Sequence, residues 1–254
     1  MRIRGTALLS AVWSCAVCTA LSLTATGGGT GGHPQSDPRH SLSVSQRLNT
    51  RVELFDTAGQ TFAQALLGLA YEYKLPMGVE YWSKESTHVP LKLQLRNRSV
   101  QEILETLATE QPGYRVSFPG GVVQVYASRG RSDPSNLLNT IIPRFRIMGE
   151  DPAAASAQAF EALVHVVSPG TSVIESTAVG SPLRVSLDLR NARVYEILNA
   201  IVAQDGAAVW VVRVPPDKLS VLKGDLWYLY PLDAAFKEVV LQDVRSLFPD
   251  GKGK

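Results

Sequence analysis

Two glutamates at matched positions are the residues of this chain that come nearest to a catalytic pair. Glu102 and Glu196 lie 94 residues apart, each just inside an expected helix. Paired carboxylates perform general acid–base chemistry when both face one substrate. Ser99, however, precedes Glu102 at the spacing of a capping box, and Glu196 places negative charge at a helix start, where the helix dipole favours it. Glu102 is therefore interpreted as a helix-capping residue, and Glu196 as a charge that is favoured at a helix N-terminus.

The other side chains that could do chemistry do not form a recognisable site. The histidines are His33, His40, His88 and His165. No two of them have the spacing of a zinc site, and no serine lies in a Gly-x-Ser-x-Gly motif. Both cysteines, Cys15 and Cys18, lie close to the N-terminus. We therefore predict no enzyme activity and no catalytic, cofactor-binding or metal-binding residues. A hydrolase with an unrecognised site is kept as an alternative.

The N-terminus has the layout of a secretory signal peptide. Arg2 and Arg4 precede the uncharged run Ala7–Ala25, which also contains both cysteines. We predict a signal peptide over residues 1–25 that is cleaved near Ala20 or Ala25. The alternatives are an uncleaved membrane anchor, since the run approaches the length of a bilayer span, and lipid attachment to one of the two cysteines. The expected location is periplasmic or otherwise exported.

The charge balance bears on the class of partner. Loss of the two arginines in the signal segment lowers Lys plus Arg from 25 to 23, which equals Asp plus Glu. A balanced charge predicts neither nucleic-acid binding nor steering toward an anionic membrane surface.

One stretch of about twenty residues occurs twice and sets the expected architecture. Val89–Leu107 and Leu183–Ile201 align without a gap. The shared residues are Leu93/Leu187, Leu95/Leu189, Arg96/Arg190, Asn97/Asn191, Val100/Val194, Glu102/Glu196, Ile103/Ile197 and Leu104/Leu198. In each copy leucines alternate as in a half-buried strand and are followed by an apolar stripe with helical spacing. Asn97 and Asn191 are interpreted as residues of the strand-to-helix turn.

Similar patterns surround both stretches and predict an α+β fold. We expect two small tandem βαββαββ domains, each with two helices packed on short sheets. The predicted order is a tether over 26–50, a first domain over 51–128, a linker over 129–140, a second domain over 141–223 and a C-terminal extension over 224–254. In the second domain, Ser172–Glu175 is a strand candidate, and Val209–Val214 and Leu219–Leu222 are expected to form a hairpin.

The first domain resembles a known family of small docking domains. A helix over Gln60–Tyr73, a strand ending in Leu95-Arg96-Asn97 and a helix carrying Ile103-Leu104 are followed by a hairpin ending in Val123-Gln124-Val125-Tyr126. This order resembles the secretin and TonB short N-terminal domain over about residues 51–127, with a second copy over about 141–222. The resemblance implies a periplasmic domain without an active site that docks on other proteins, with strand addition at a sheet edge as one docking mode.

The resemblance leads to an expected function. We expect an exported, non-enzymatic adaptor or accessory protein that docks on an envelope machine. The expected partners are components of a secretin complex, a type IV pilus or a TonB-linked signalling system, with association to the outer membrane through such a partner. The candidate partner contacts are Arg96, Arg190, Tyr81, Trp82 and Tyr126.

A ligand-binding module is the alternative from a different functional class. Two domains could form a cleft for a glycan or peptidoglycan. This hypothesis requires aromatic side chains on an exposed face, and Trp82, Trp210 and Trp227 are the candidates.

Overall fold

A computed structural model describes residues 42–82, 90–170, 183–214 and 227–232 of the chain. The helices are α1 (Val44–Leu48), α2 (Phe62–Tyr73), α3 (Val100–Glu110), α4 (Ser128–Ser132), α5 (Pro152–Val167) and α6 (Val194–Asp205). The strands are β1 (Arg51–Asp56), β2 (Met77–Trp82), β3 (Gln94–Ser99), β4 (Tyr114–Ser117), β5 (Val123–Ala127), β6 (Ile141–Glu150), β7 (Val185–Arg193), β8 (Ala208–Val214) and β9 (Trp227–Pro231). The predicted α+β class is confirmed.

α2 and α5 begin where side chains satisfy the first backbone N–H groups. Thr61 and Gln64 form a capping box at α2, in which the Gln64 N–H donates to the Thr61 hydroxyl and the Thr61 N–H donates to the Gln64 side chain. Asp151 caps α5 by accepting from two backbone N–H groups, and Pro152 occupies the first helical position. In the described parts of the chain, no helix combines the length and apolar character needed to cross a membrane.

The duplicated stretch builds the same antiparallel hairpin twice. β1 pairs with β3, and β6 pairs with β7. The matching register partners are Arg51–Ser99 and Ile141–Arg193, Leu54–Arg96 and Arg144–Arg190, and Phe55–Leu95 and Phe145–Leu189. In both copies the first residue of the following helix is hydrogen-bonded to the residue that precedes the first strand of the hairpin. The N–H of Val100 donates to the Thr50 carbonyl, and that of Val194 donates to the Thr140 carbonyl.

Asn97 and Asn191 lie inside strands, which corrects their assignment to the strand-to-helix turn. β3 and β7 continue to Ser99 and Arg193, and the helices follow directly. Both asparagines have a left-handed backbone, with φ of 56° and 50°, a conformation that Asn tolerates better than most residues. In both copies the asparagine and the arginine before it are exposed, which interrupts the inward–outward alternation of the strand.

The two copies share one sheet instead of forming separate sheets. The five-stranded order is β4-β5-β2-β8-β9, in which β2 pairs in parallel with β5 of the first copy and with β8 of the second. Met77, Gly78, Val79 and Glu80 are all buried, as expected for a strand covered on both edges and both faces. The predicted boundary between two small domains therefore passes through a continuous sheet.

The second hairpin also differs from expectation. β8 matches the predicted strand Val209–Val214, but its antiparallel neighbour is β9. The range 219–222, expected as that neighbour, and the strand candidate Ser172–Glu175 lie outside the described residues. Because β9 comes from the predicted C-terminal extension, part of that extension belongs to the central sheet.

Gly78 makes room for the side chain that closes the contact between the copies. Gly78 on β2 is the register partner of Trp210 on β8, and Trp210 is completely buried. A Cβ atom at Gly78 would overlap Cε2 and Cζ2 of the indole. The absence of a side chain at Gly78 therefore allows the two strands to pair around a buried tryptophan.

Gly78→Ala is expected to destabilise the whole fold through this overlap. Overpacking of a rigid core costs about 1–3 kcal/mol, and a clash with a buried ring in a central strand belongs at the upper end. Gly68 on α2 is the matched control, since a Cβ there meets nothing within 4 Å. Gly68→Ala is expected to leave stability unchanged or raise it by up to about 1 kcal/mol. Urea unfolding measures both, and equal losses would contradict the role assigned to Gly78.

Candidate functional site

The candidate site is a groove between the first copy and α6 of the second, here called the seam groove. Its volume is about 470 Å³, which lies in the range of small-ligand and peptide side-chain pockets. One wall comes from the β4–β5 hairpin and α4, and the other comes from α6. The lining residues include Gln124, Tyr126, Arg131, Tyr195, Asn199 and Ala203. Since both walls are needed, the groove depends on the shared sheet.

Arg131 joins the two walls. It lies on α4, inside the range predicted as a linker, and its side chain is 19% exposed. The guanidinium carbon lies 3.5 Å from the ring centre of Tyr195 and 4.9 Å from that of Tyr126. One ring comes from each copy, so the cation is held between two aromatic faces. Its Nη2 donates to Oε1 of Glu80.

Glu80 is the buried partner of this arginine. It lies on β2, where its side chain is 2% exposed. Burial raises the pKa of Glu80 to about 7, and this effect outweighs the opposing influences of Arg131 and of the Asn136 and Gln124 side chains. Its Oε2 atom is buried without a hydrogen-bond partner in the structure. Glu80 does not line the seam groove, so it is not placed to act on a molecule bound there.

A chain of side-chain hydrogen bonds crosses the seam beside this ion pair. The Trp210 indole N–H donates to Asn199 Oδ1 at 2.9 Å, and Asn199 Nδ2 donates to Gln124 Oε1 at 3.2 Å. Gln124 and Trp210 are the register neighbours of Gly78 on its two sides. All three hydrogen-bonding side chains are buried, so a lost partner would leave a polar group unsatisfied. These hydrogen bonds therefore fix the position of α6 on the sheet.

Of the predicted partner contacts whose side chains the structure describes, Tyr126 lies at this groove and Arg96 and Arg190 do not. Tyr126 is half-buried and lines it. Arg96 and Arg190 are exposed on the two separate hairpins. Tyr81 and Trp82 belong to β2 by their backbone, and their side chains lie outside the described residues.

The structure also bears on the two alternatives. Trp210 is buried and cannot serve as a stacking platform for a sugar, while the side chains of Trp82 and Trp227 lie outside the described residues. The hydrolase alternative requires ionisable groups with shifted pKa values in one pocket, whereas Glu80 lies outside the seam groove. Within the described ranges, no three His, Cys, Asp or Glu side chains form a group that could hold a metal ion.

Glu102 caps α3, as predicted, and Glu196 accepts the matching hydrogen bond at the start of α6. The Ser99 N–H donates to Glu102 and the Arg193 N–H donates to Glu196, each at 2.7 Å. The Ser99 hydroxyl completes the box in the first copy by accepting the Glu102 N–H. The hydrogen bond from the Ser99 N–H holds the pKa of Glu102 below its usual value.

The ion pair of Glu80 and Arg131 was missed from the sequence. Glu80 did carry a signal, since a carboxylate within an otherwise apolar strand implies either a wet edge or a buried partner. No sequence signal indicated a buried role for Arg131, because the residues around it have the charge, Gly and Pro content of a linker.

Glu80→Gln is expected to remove a specific pH dependence of stability. The folded-state pKa of about 7 lies above the ordinary value of 4.5, so between these values the folded state holds a proton that the unfolded state releases. The free energy of unfolding therefore falls as the pH rises through this window, by up to about 3 kcal/mol at about 1.4 kcal/mol per pKa unit.

Glutamine still accepts from Arg131 but cannot ionise, so the variant lacks this decline. Urea unfolding from pH 4.5 to pH 8 measures the profile. Glu110→Gln, at an exposed glutamate on α3, is the control and is expected to retain the decline. Parallel profiles for wild type and Glu80→Gln would show that burial does not raise the pKa of Glu80.

Comparison with protein-family models, curated proteins and solved structures found no match to this chain. The resemblance to secretin and TonB short N-terminal domains therefore remains a prediction from the sequence pattern, and the groove geometry is the structural basis for a functional proposal.

Proposed function

We propose that the protein is an exported, non-enzymatic adaptor of a bacterial envelope machine and that it binds a partner segment in the seam groove. The candidate machines are a secretin complex, a type IV pilus and a TonB-linked signalling system. The observation that carries the proposal is a groove whose two walls come from the two copies of a duplicated docking-type unit.

The lining of the groove suits a protein segment. Tyr126 and Tyr195 present half-buried aromatic rings, and Ala200 and Ala203 leave space along one face of α6. Arg131 and Asn199 add polar groups to the lining. Tyrosine and arginine in partly buried positions are the residue types that most often dominate binding energy at protein interfaces.

The location follows from the N-terminal segment. A cleaved signal peptide would export the chain, and we propose that it meets its partner in the periplasm. Association with the outer membrane would then come through the partner.

Ala203→Trp is expected to block the groove without disturbing the core. Ala203 is exposed on α6 and lines the groove, so an indole there occupies the space of a bound segment. Thr109 is the matched control, because it lies 94 residues earlier on the exposed surface of α3 and does not line the groove. The tagged protein is cross-linked in intact cells of the source bacterium, and co-purifying envelope proteins are identified by mass spectrometry.

Wild type and Thr109→Trp are expected to recover a secretin, pilus or TonB-system component. Ala203→Trp is expected to recover it at about a tenth of that level or less, as for loss of one interface hot spot. As a control, the urea unfolding midpoints of both variants are compared with that of the wild type to check that both are folded. Recovery of none of the three classes by the wild type, or equal recovery by the two variants, would contradict the proposal.

A further inference from the structure

The outward face of the β6–β7 hairpin carries an incompletely paired group of charges. This group, here called the arginine face, consists of Arg144, Arg146, Asp188 and Arg190. Arg144 is the register partner of Arg190, and Arg146 is the register partner of Asp188. All four residues are exposed. Since directly opposed residues in an antiparallel pair have Cβ atoms about 5 Å apart, Arg144 and Arg190 lie side by side.

The single carboxylate of this face neutralises one side of it. Asp188 Oδ2 lies 3.3 Å from Arg144 Nη2 and 4.0 Å from Arg146 Nε. Arg190 has no ion-pair partner among the described residues. Like charges directly opposite one another destabilise a sheet. The positive charge of Arg190 is therefore not neutralised, and an anion bound between Arg144 and Arg190 would reduce the repulsion between them.

The first copy differs at this pair. Leu54 takes the place of Arg144 opposite Arg96, in the same register of the β1–β3 hairpin, and is 51% exposed. The shared fold therefore does not require two opposed arginines.

We propose that the Arg144–Arg190 pair binds a carboxylate from an acidic segment of a partner protein. A guanidinium presents its donors in a planar fork that matches a carboxylate, and two converging forks can hold one carboxylate from both sides. Met148, 66% exposed and farther along β6, offers apolar contact to the same segment. The arginine face is distinct from the seam groove, so this inference goes beyond the proposed function and adds a second binding surface.

The charges near the arginine face favour a peptide over an anionic membrane. Asp188 lies within the face, and Glu161 on α5 lines a cavity of about 440 Å³ together with Arg144, Arg146 and His165. A uniformly anionic surface would be repelled by both carboxylates, whereas a peptide can place a single carboxylate between two arginines. The local excess of positive charge is also small, which suits a discrete contact.

The test measures binding of a labelled peptide of alternating glutamate and threonine by fluorescence anisotropy. The protein is used in its mature form, without the signal peptide. Arg190→Gln is expected to weaken binding about tenfold, as for loss of a charge-assisted bidentate contact. Arg144→Leu, which recreates the Leu54–Arg96 pair of the first copy, is expected to weaken it similarly. Arg96→Gln is the matched control and is expected to change binding by less than about twofold.

The outcomes separate the alternatives. Equal effects of Arg190→Gln and Arg96→Gln, or no peptide binding, would overturn the proposal. Vesicles of phosphatidylcholine with phosphatidylglycerol form the second arm, and retention on vesicles that depends on Arg190, without peptide binding, would assign the face to a membrane instead. Ala203→Trp is expected to bind the peptide normally, so a failure of the groove proposal does not affect this result.

Discussion

The parallel pairing of β2 with β8 is the constraint on which the rest of the structure depends. It joins Met77–Trp82 of the first copy to Val209–Val214 of the second. The pairing requires a residue without a side chain at Gly78, because the indole of Trp210 occupies that space. Once the strands are paired, α6 lies over β8 and β2, its Asn199 reaches Gln124 on β5, and its Tyr195 reaches Arg131. The seam groove is a consequence of these contacts.

The Glu80–Arg131 pair is better understood as a device for specificity than as a source of stability. Removing a carboxylate from water costs more than one imperfectly paired guanidinium returns, as the raised pKa of Glu80 indicates. The orphan atoms Glu80 Oε2, Gln124 Nε2 and Arg131 Nε lie in the same cluster. The fit of Trp210 against Gly78 already opposes slippage of the strands, and a slipped seam would in addition leave these polar groups unpaired. We therefore assign the cluster to fixing the relative position of the copies.

The features predicted correctly from the sequence are those encoded locally. The cap at Ser99 and the stripe of α3 depend on residues within one or two helical turns, and the structure reproduces them. The sharing of a sheet was not predicted, because strand pairing between distant segments leaves no periodic signal in either segment. The burial of Arg131 was missed for the same reason, since its partners come from β2, β5 and α6.

The duplicated stretch has two separate roles in the folded chain. Its leucines and valines build the core twice, and its asparagines hold a left-handed position at which the asparagine and the arginine before it are both exposed. The shared arginine that precedes each asparagine is thereby exposed in both copies, but its neighbour across the sheet is Leu54 in one copy and Arg144 in the other. Since the fold accepts either neighbour, the identity of that residue is free to be set by binding. The exchange of Leu54 for Arg144 places a second positive charge beside the shared arginine in the second copy. The hairpin that both copies share holds the two arginines in fixed positions.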